Sequence, residues 1–357
     1  MVKSEIAQTN KVQKSRPKLL VFNPFNTRES GTIFFLILTV LFFTIVSERF
    51  FSKESFQSIL GESAIVIVVA VGMAPVIIAR QIDLSVGAIL GVAAYSAGMV
   101  LNYDLHPLIA LGLSIALGLA LGAINGLIIT RVQVPAMIAT LGTASIYRGI
   151  LFLLAPHLLG YIINASQIPP AFRGLSSIRV ISIPFIAISA LIVAVIVGFL
   201  LSNTLWGRNL YAIGSNPQAA RFAGIDAHKE VLKAMILVGG LSGLAGFLYV
   251  MRYANVYVRT GTGMEFSAIA GVVVGGIAIF GGSGRIFGAV LGVLLLNTFQ
   301  RGFILMNIPE FWKDVATGIA IIGAITTDAV LAKRREKLLR WGRRPHIVIH
   351  QNEASND

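Results

Sequence analysis

Ten stretches of this chain are apolar over the length of a bilayer crossing, near residues 31–47, 57–79, 84–101, 107–130, 137–155, 182–202, 233–251, 264–281, 285–303 and 312–331. A hydrocarbon core about 30 Å thick takes about 20 apolar residues in helical form, each advancing ~1.5 Å. Lipid offers no partner to a free N–H or C=O, so such a segment has to close its own hydrogen bonds as a helix. The expected fold class is an all-α polytopic membrane protein of about ten transmembrane helices. Composition agrees: 13% of the 357 residues are charged and mean hydropathy is +0.80, against about 25% charged in soluble domains. A soluble enzyme, a disordered chain and a secreted disulfide scaffold are excluded. The absence of cysteine removes thiolate metal sites and cysteine nucleophiles.

The net charge of +13 is distributed as in a membrane protein rather than a nucleic-acid binder. Six basic residues (Lys3, Lys11, Lys14, Arg16, Lys18, Arg28) precede the first apolar stretch. Seven more (Lys333, Arg334, Arg335, Lys337, Arg340, Arg343, Arg344) follow the last. The positive-inside rule puts both ends in the cytoplasm and makes the number of spans even. With that orientation, inside segments hold 20 of the 29 Lys and Arg and outside segments 8. The expected organisation is a basic cytoplasmic tail over 1–30, a membrane domain over 31–331 and a second basic cytoplasmic tail over 332–357. No cleaved signal peptide is expected, because the N-terminal stretch is polar and basic. The longest connections, 156–181 outside and 203–232 inside, are too short for a soluble domain. Pro75 and Pro135 are the places where the sequence leaves open a continuous or a broken, re-entrant segment.

Catalytic patterns are missing. No Gly-x4-Gly-Lys-Ser/Thr loop occurs, and Gly281-Gly282-Ser283-Gly284-Arg285 reads as a tight turn between spans. The five histidines fall in loops or the tail without metal-ligand spacing, so no catalytic residue, metal or cofactor is expected. Repeated Gly-x-x-x-Gly spacing, as in Gly118/Gly122/Gly126 and Gly239/Gly243, predicts close packing within one bundle. Ionisable residues within or bounding the spans are few: Glu62, Arg148 and Glu265, with Asp83 and Asp328 at span ends. Asp83 is expected to cap the helix after Leu84-Ser85, and Thr262-Gly263-Met264-Glu265 resembles a capping box. Arg148 has no acid nearby in sequence and needs a partner or a watery cavity.

The segment 207–225 is the most informative. Asn216 suits an N-cap, Pro217 the first helical position and Gly224 the position just past the end. Between them Gln218-Ala219-Ala220-Arg221-Phe222-Ala223 makes about two turns, too short to stand without docking. The alanines allow close approach and Phe222 supplies an apolar knob, so the segment reads as a lever for a partner protein.

Several of these motifs, taken together, resemble the membrane permeases of ribose-type ATP-binding-cassette importers. They are Ile82-Asp83-Leu84-Ser85-Val86-Gly87; Val134 to Thr143 with Tyr147-Arg148-Gly149; the 207–225 stretch; Gly261 to Glu265; and Gly275-Gly276 with Gly281 to Arg285. The resemblance covers about residues 31 to 331. It implies a fold similar to the vitamin B12-type (type II) importers and a place in the bacterial inner membrane. It also implies partner ATPase subunits, a periplasmic or lipid-anchored substrate-binding protein and a second permease copy or related permease. By the same resemblance 215–224 is the coupling helix that seats in the ATPase, with Asn216, Pro217, Ala219, Ala220, Arg221, Phe222 and Gly224 as its residues. Asp83, Ser85, Thr140, Thr143, Arg148, Glu265 and Asn297 are the candidates for the translocation path or for structural motif positions. Arg80-Gln81 stands where the sugar permeases usually have two glycines, which is more like the rhamnose and autoinducer-2 branches, as is Trp312. The function expected is a permease subunit carrying a small polar solute, a sugar or autoinducer-2-like, by alternating access driven by a separate ATPase. An ion-coupled secondary transporter is the alternative, and the scarcity of intramembrane carboxylates argues against it.

Overall fold

The computed structural model describes residues 28–154, 161–309, 311–312, 314–323 and 326. Residues 1–27 of the N-terminal tail, the whole C-terminal tail and Asp328 lie outside the described residues. The helices are α1 (Arg28–Val46), α2 (Lys53–Ile78), α3 (Val86–Asn102), α4 (Pro107–Arg131), α5 (Ala136–Leu154), α6 (Pro170–Leu175), α7 (Phe185–Asn203), α8 (Leu205–Ser215), α9 (Pro217–Phe222), α10 (Ala227–Tyr253), α11 (Met264–Val274) and α12 (Ile286–Leu305). A further apolar helix, α13, covers Asp314–Gly323. Among the described residues seven helices (α1, α2, α4, α5, α7, α10, α12) are long and apolar enough to cross a membrane, while α3, α11 and α13 are apolar but shorter. Each of the ten expected segments therefore carries an apolar helix, three of them short of 18 residues over the described part.

Neither Pro75 nor Pro135 breaks a helix. α2 runs unbroken through Pro75, and Pro135 sits just ahead of α5, where its carbonyl accepts the N–H groups of Ile138 and Ala139. The break falls at Gly275-Gly276, inside the stretch expected to span as 264–281. There Gly276 takes φ +94°, its N–H donates to Val273 O, and Ile277 N–H donates to Val272 O. This is a Schellman motif, which ends a helix by turning the chain into a left-handed conformation that glycine adopts without penalty.

α2 is buried along most of its length, as a helix apolar on every side requires. It packs against α7, α10, α11 and α12. α4 and α10 make the most intimate pair. A Cβ on Gly122 would lie 2.9 Å from Gly239 Cα, so only glycine permits this separation of backbones, and the repeated spacing serves packing inside the chain. α1, α4, α5 and α7 bury one face and expose large apolar side chains on the other, Ile45 and Leu153 at 86% and 87%. Such faces suit lipid rather than water. On the end of the bundle away from α8 and α9, β1 (Tyr161–Ile163) pairs antiparallel with β4 (Val256–Tyr257), and β2 (Arg179–Val180) with β3 (Ile183–Pro184). Phe172 on α6 packs edge-on against Phe247 at 5.5 Å, fixing this cap to α10.

Candidate functional site

The 203–232 connection is almost entirely helical. Thr204 caps α8 by accepting Gly207 N–H, and Asn216 Oδ1 caps α9 by accepting Ala219 N–H at 3.0 Å. Pro217 occupies the first helical position. At the far end Gly224 has φ +78°, and the N–H groups of Gly224 and Ile225 donate to Arg221 O and Ala220 O, again a Schellman stop. Asp226 then caps α10, and the Lys229 backbone N–H it accepts holds its carboxyl below the usual range. α8 is fastened to α10 where Asn209 Nδ2 donates to Glu230 Oε1 at 3.0 Å; Glu230 also pairs with Lys233.

On this rigid platform Phe222 is 91% exposed. An aromatic side chain presented in this way on a helix capped at both ends packs against nothing among the described residues. Ala219, Arg221 and Ala223 are exposed beside it. Ala220 is not: it is buried and turns towards the bundle. A two-turn helix needs one face to dock on its own protein, and Ala220 lies on that face, while the rest of the expected coupling residues stand outward.

The platform is tied to the ends of two bundle segments. Arg80 follows α2 at φ +62°, closing a Schellman motif in which Arg80 and Gln81 N–H donate to Ile77 O and Val76 O. Glycine is the usual residue there, and a non-glycine side chain in the left-handed region costs roughly 1–2 kcal/mol. The guanidinium offsets this by donating to the last carbonyls of α8, Nε to Gly214 O at 2.6 Å and Nη2 to Ser215 O at 3.2 Å. A cation at a helix C-terminus also opposes the negative end of the dipole. The turn at 281–284 joins the same junction. Gly282 N–H donates to Ile78 O, Ser215 Oγ to Gly282 O, and Tyr211 Oη to Gly284 O at 2.7 Å. Burial pushes the Tyr211 phenol up, against the opposing pull of Arg285.

Three residues past Arg80 the chain enters a buried polar network. Asp83 is not the helix cap expected; Ser85 holds that position without a side-chain cap bond. Asp83 Oδ1 instead accepts both Ser85 N–H at 2.7 Å and Ser85 Oγ–H at 2.6 Å. Asn125 Nδ2 on α4 donates to Ser85 Oγ at 2.7 Å, and Tyr147 Oη on α5 donates to Asn125 Oδ1 at 3.2 Å. Thr140 Oγ1 accepts Leu84 N–H at 3.0 Å, while its own hydroxyl donates to Ala136 O. Thr143 donates to Thr140 O on the same helix and also lies in hydrogen-bonding contact with the Tyr147 phenol. Asp83, Ser85 and Thr140 thus stitch α3, α4 and α5 together at the end nearest α8. Asn125 and Tyr147 complete the network; a lone amide inside the apolar α4 run was the available sequence signal for the first.

At the opposite end Arg148 on α5 finds its partners far along the chain: it donates to Thr260 O and lies near Glu265. Glu265 Oε1 accepts Gly263 N–H at 3.3 Å, but the reciprocal Thr262 bond of a capping box is absent and Gly263 is the N-cap. Glu62 meets Arg252 at 3.3 Å, both half-buried. That partner was hidden by its distance in sequence. Asn297 donates to Val293 O and lines a largely apolar cavity of about 310 Å³ with Ser267, Gln300 and Phe303. It is not brought together with the Asp83 or Arg148 groups. Among the described residues no three His, Asp or Glu side chains converge as metal ligands.

The chain matches the family described as branched-chain amino acid transport system / permease component over residues 55–325. It is similar to the autoinducer 2 import system permease protein LsrC of Yersinia pseudotuberculosis serotype O:1b, 34% identical over 316 residues and 88% of each chain. The LsrC proteins of Salmonella typhi (32% over 315 residues, 88% of this chain and 89% of the other) and Yersinia enterocolitica (32% over 338 residues, 93% and 92%) are similarly related. No solved structure matches. A helical bundle with lipid-suited faces and a match over most of its length place the chain in this family of transport-system permeases: it is the membrane component of an ATP-binding-cassette importer.

Proposed function

We propose that this permease carries a small polyhydroxylated solute of the autoinducer-2 kind inward, by alternating access, under the drive of a separate ATPase. The observation that carries the coupling part is Phe222, 91% exposed on a doubly capped helix. With Ala219, Arg221 and Ala223 beside it, it forms a convex knob suited to a groove on an ATPase subunit. ATP-driven closure of paired ATPases would pull α9, and through Arg80 and the 281–284 turn would move the ends of α2 and α12. Such a switch works only if the partner contacts differ between the two states. The substrate class is supported by the names of the LsrC relatives and by the scarcity of charge in the spans, which suits a neutral cargo. A substrate-binding protein would dock on the end bearing the strand cap.

In the same reading the chain crosses the membrane ten times with both ends inside, in a type II importer-like arrangement. α11 and the turn after it form one crossing, a half-helix completed by irregular backbone buried in protein, as membrane depth requires. A self-sufficient ion-coupled transporter is not favoured.

The test is uptake by proteoliposomes carrying the assembled importer with its binding protein. ATP-dependent uptake of autoinducer-2, competed by excess unlabelled autoinducer-2 and not by leucine, is the expected result. ATP-dependent uptake of leucine without autoinducer-2 transport would overturn the substrate assignment.

A further inference from the structure

A cavity of about 510 Å³ opens where the end of α7, the start of α8 and the start of α12 meet. Gly198, Leu201, Ile286 and Phe287 supply apolar wall, and Arg208 and Arg285 supply its charge. Both guanidinium-bearing residues are exposed, and neither is paired with a carboxylate among the described residues. The other polar groups of the lining have spent their donors: Ser202 Oγ donates to Gly198 O and Tyr211 Oη to Gly284 O, both at 2.7 Å. What remains is an amphipathic mouth offering two uncompensated cations above apolar helix ends. Exposed Leu205 and Phe287, at 69% and 61%, continue the apolar surface outward.

We propose that this cavity binds an anionic phospholipid of the cytoplasmic leaflet, its phosphate held by Arg208 and Arg285 and its acyl region lying along Leu201, Ile286 and Phe287. The guanidinium fork matches phosphate oxygens two at a time, and basic pockets between helices at the cytoplasmic surface are suited to such headgroups. A soluble phosphate would use the arginines and leave the apolar wall wet, so a lipid satisfies more of the site. The inference rests on the proposed topology, which puts this end of α7 and α12 at the cytoplasmic surface. A lipid here would brace the base of α8 and hence the platform that carries α9.

Native mass spectrometry of the purified chain from nanodiscs of mixed phosphatidylglycerol and phosphatidylcholine reads the binding without ATPase, binding protein or transport. Failure of the transport assignment therefore leaves this result untouched. The wild-type chain is expected to retain phosphatidylglycerol with roughly tenfold preference or more, given two cations near the surface. The R208Q/R285Q chain should lose most of that preference, and R131Q, which removes another exposed cytoplasmic arginine, should keep it. Equal melting temperatures in pure phosphatidylcholine verify that the double variant folds; if it does not, R208K/R285K, expected to bind with reduced preference, takes its place. Unchanged lipid preference in the folded double variant overturns the proposal. So does displacement of the lipid by inorganic phosphate, or an unchanged preference accompanied by loss of ATPase co-purification, which would assign the arginines to the ATPase surface.

Discussion

Phe222 and Ala220 are two residues apart on one short helix and face opposite ways. That difference makes the coupling assignment testable. Truncating an interface anchor commonly costs on the order of 2 kcal/mol or more, while a surface change usually leaves folding within about ±0.5 kcal/mol. Phe222→Ala should weaken ATPase association and transport and leave the melting temperature of the permease nearly unchanged, read by co-purification beside calorimetry. Ala220→Arg should instead destabilise the permease itself, since it forces a charge into a buried contact. A wild-type complex and full uptake in Phe222→Ala would remove the coupling role. Residue type alone pointed to Asp83, Ser85, Thr140, Arg148 and Glu265, because polar groups in apolar surroundings must be satisfied. Their partners were not legible: Asn125 and Tyr147 reach Ser85 and each other across other helices, and Arg252 reaches Glu62 across 190 positions. Pair identity of that kind is set by how helices pack.

Helix ends were legible where local chemistry decides them. Asn216, Pro217 and Gly224 bound α9 as their side chains and backbone freedom require. Apolar length was a poorer guide to where a helix stops. The 264–281 stretch is apolar from Ala268 to Phe280, yet α11 ends at Val274 because Gly275-Gly276 closes a Schellman motif. Eleven residues rise about 16 Å, roughly half a hydrocarbon core. α11 and the following turn are proposed to complete a single crossing. In a chain without native cysteine, Thr262→Cys should react with an impermeant thiol reagent applied outside intact cells. Arg285→Cys should react only after permeabilisation. Labelling of both from the same side would make 264–285 a re-entrant hairpin and leave the crossing number odd.

Across the whole molecule two groups of polar contacts lie at opposite ends of the bundle. At one end Arg80, the 281–284 turn and the Asp83 network connect α9 with α2, α3, α4, α5 and α12; at the other, Arg148, Glu265 and the Glu62–Arg252 pair sit beneath the strand cap. This layout provides contacts through which an external motor could move helices, and among the described residues no ladder of carboxylates lines the spans for an ion gradient to drive. The central claim is therefore dependence on a separate ATPase, and proteoliposome uptake measured with each energy source in turn tests it most directly. With ATPase subunits, binding protein and ATP present, concentrative uptake is predicted; with the chain alone under a proton or sodium gradient, none. Uphill accumulation by the chain alone under either gradient would contradict the account.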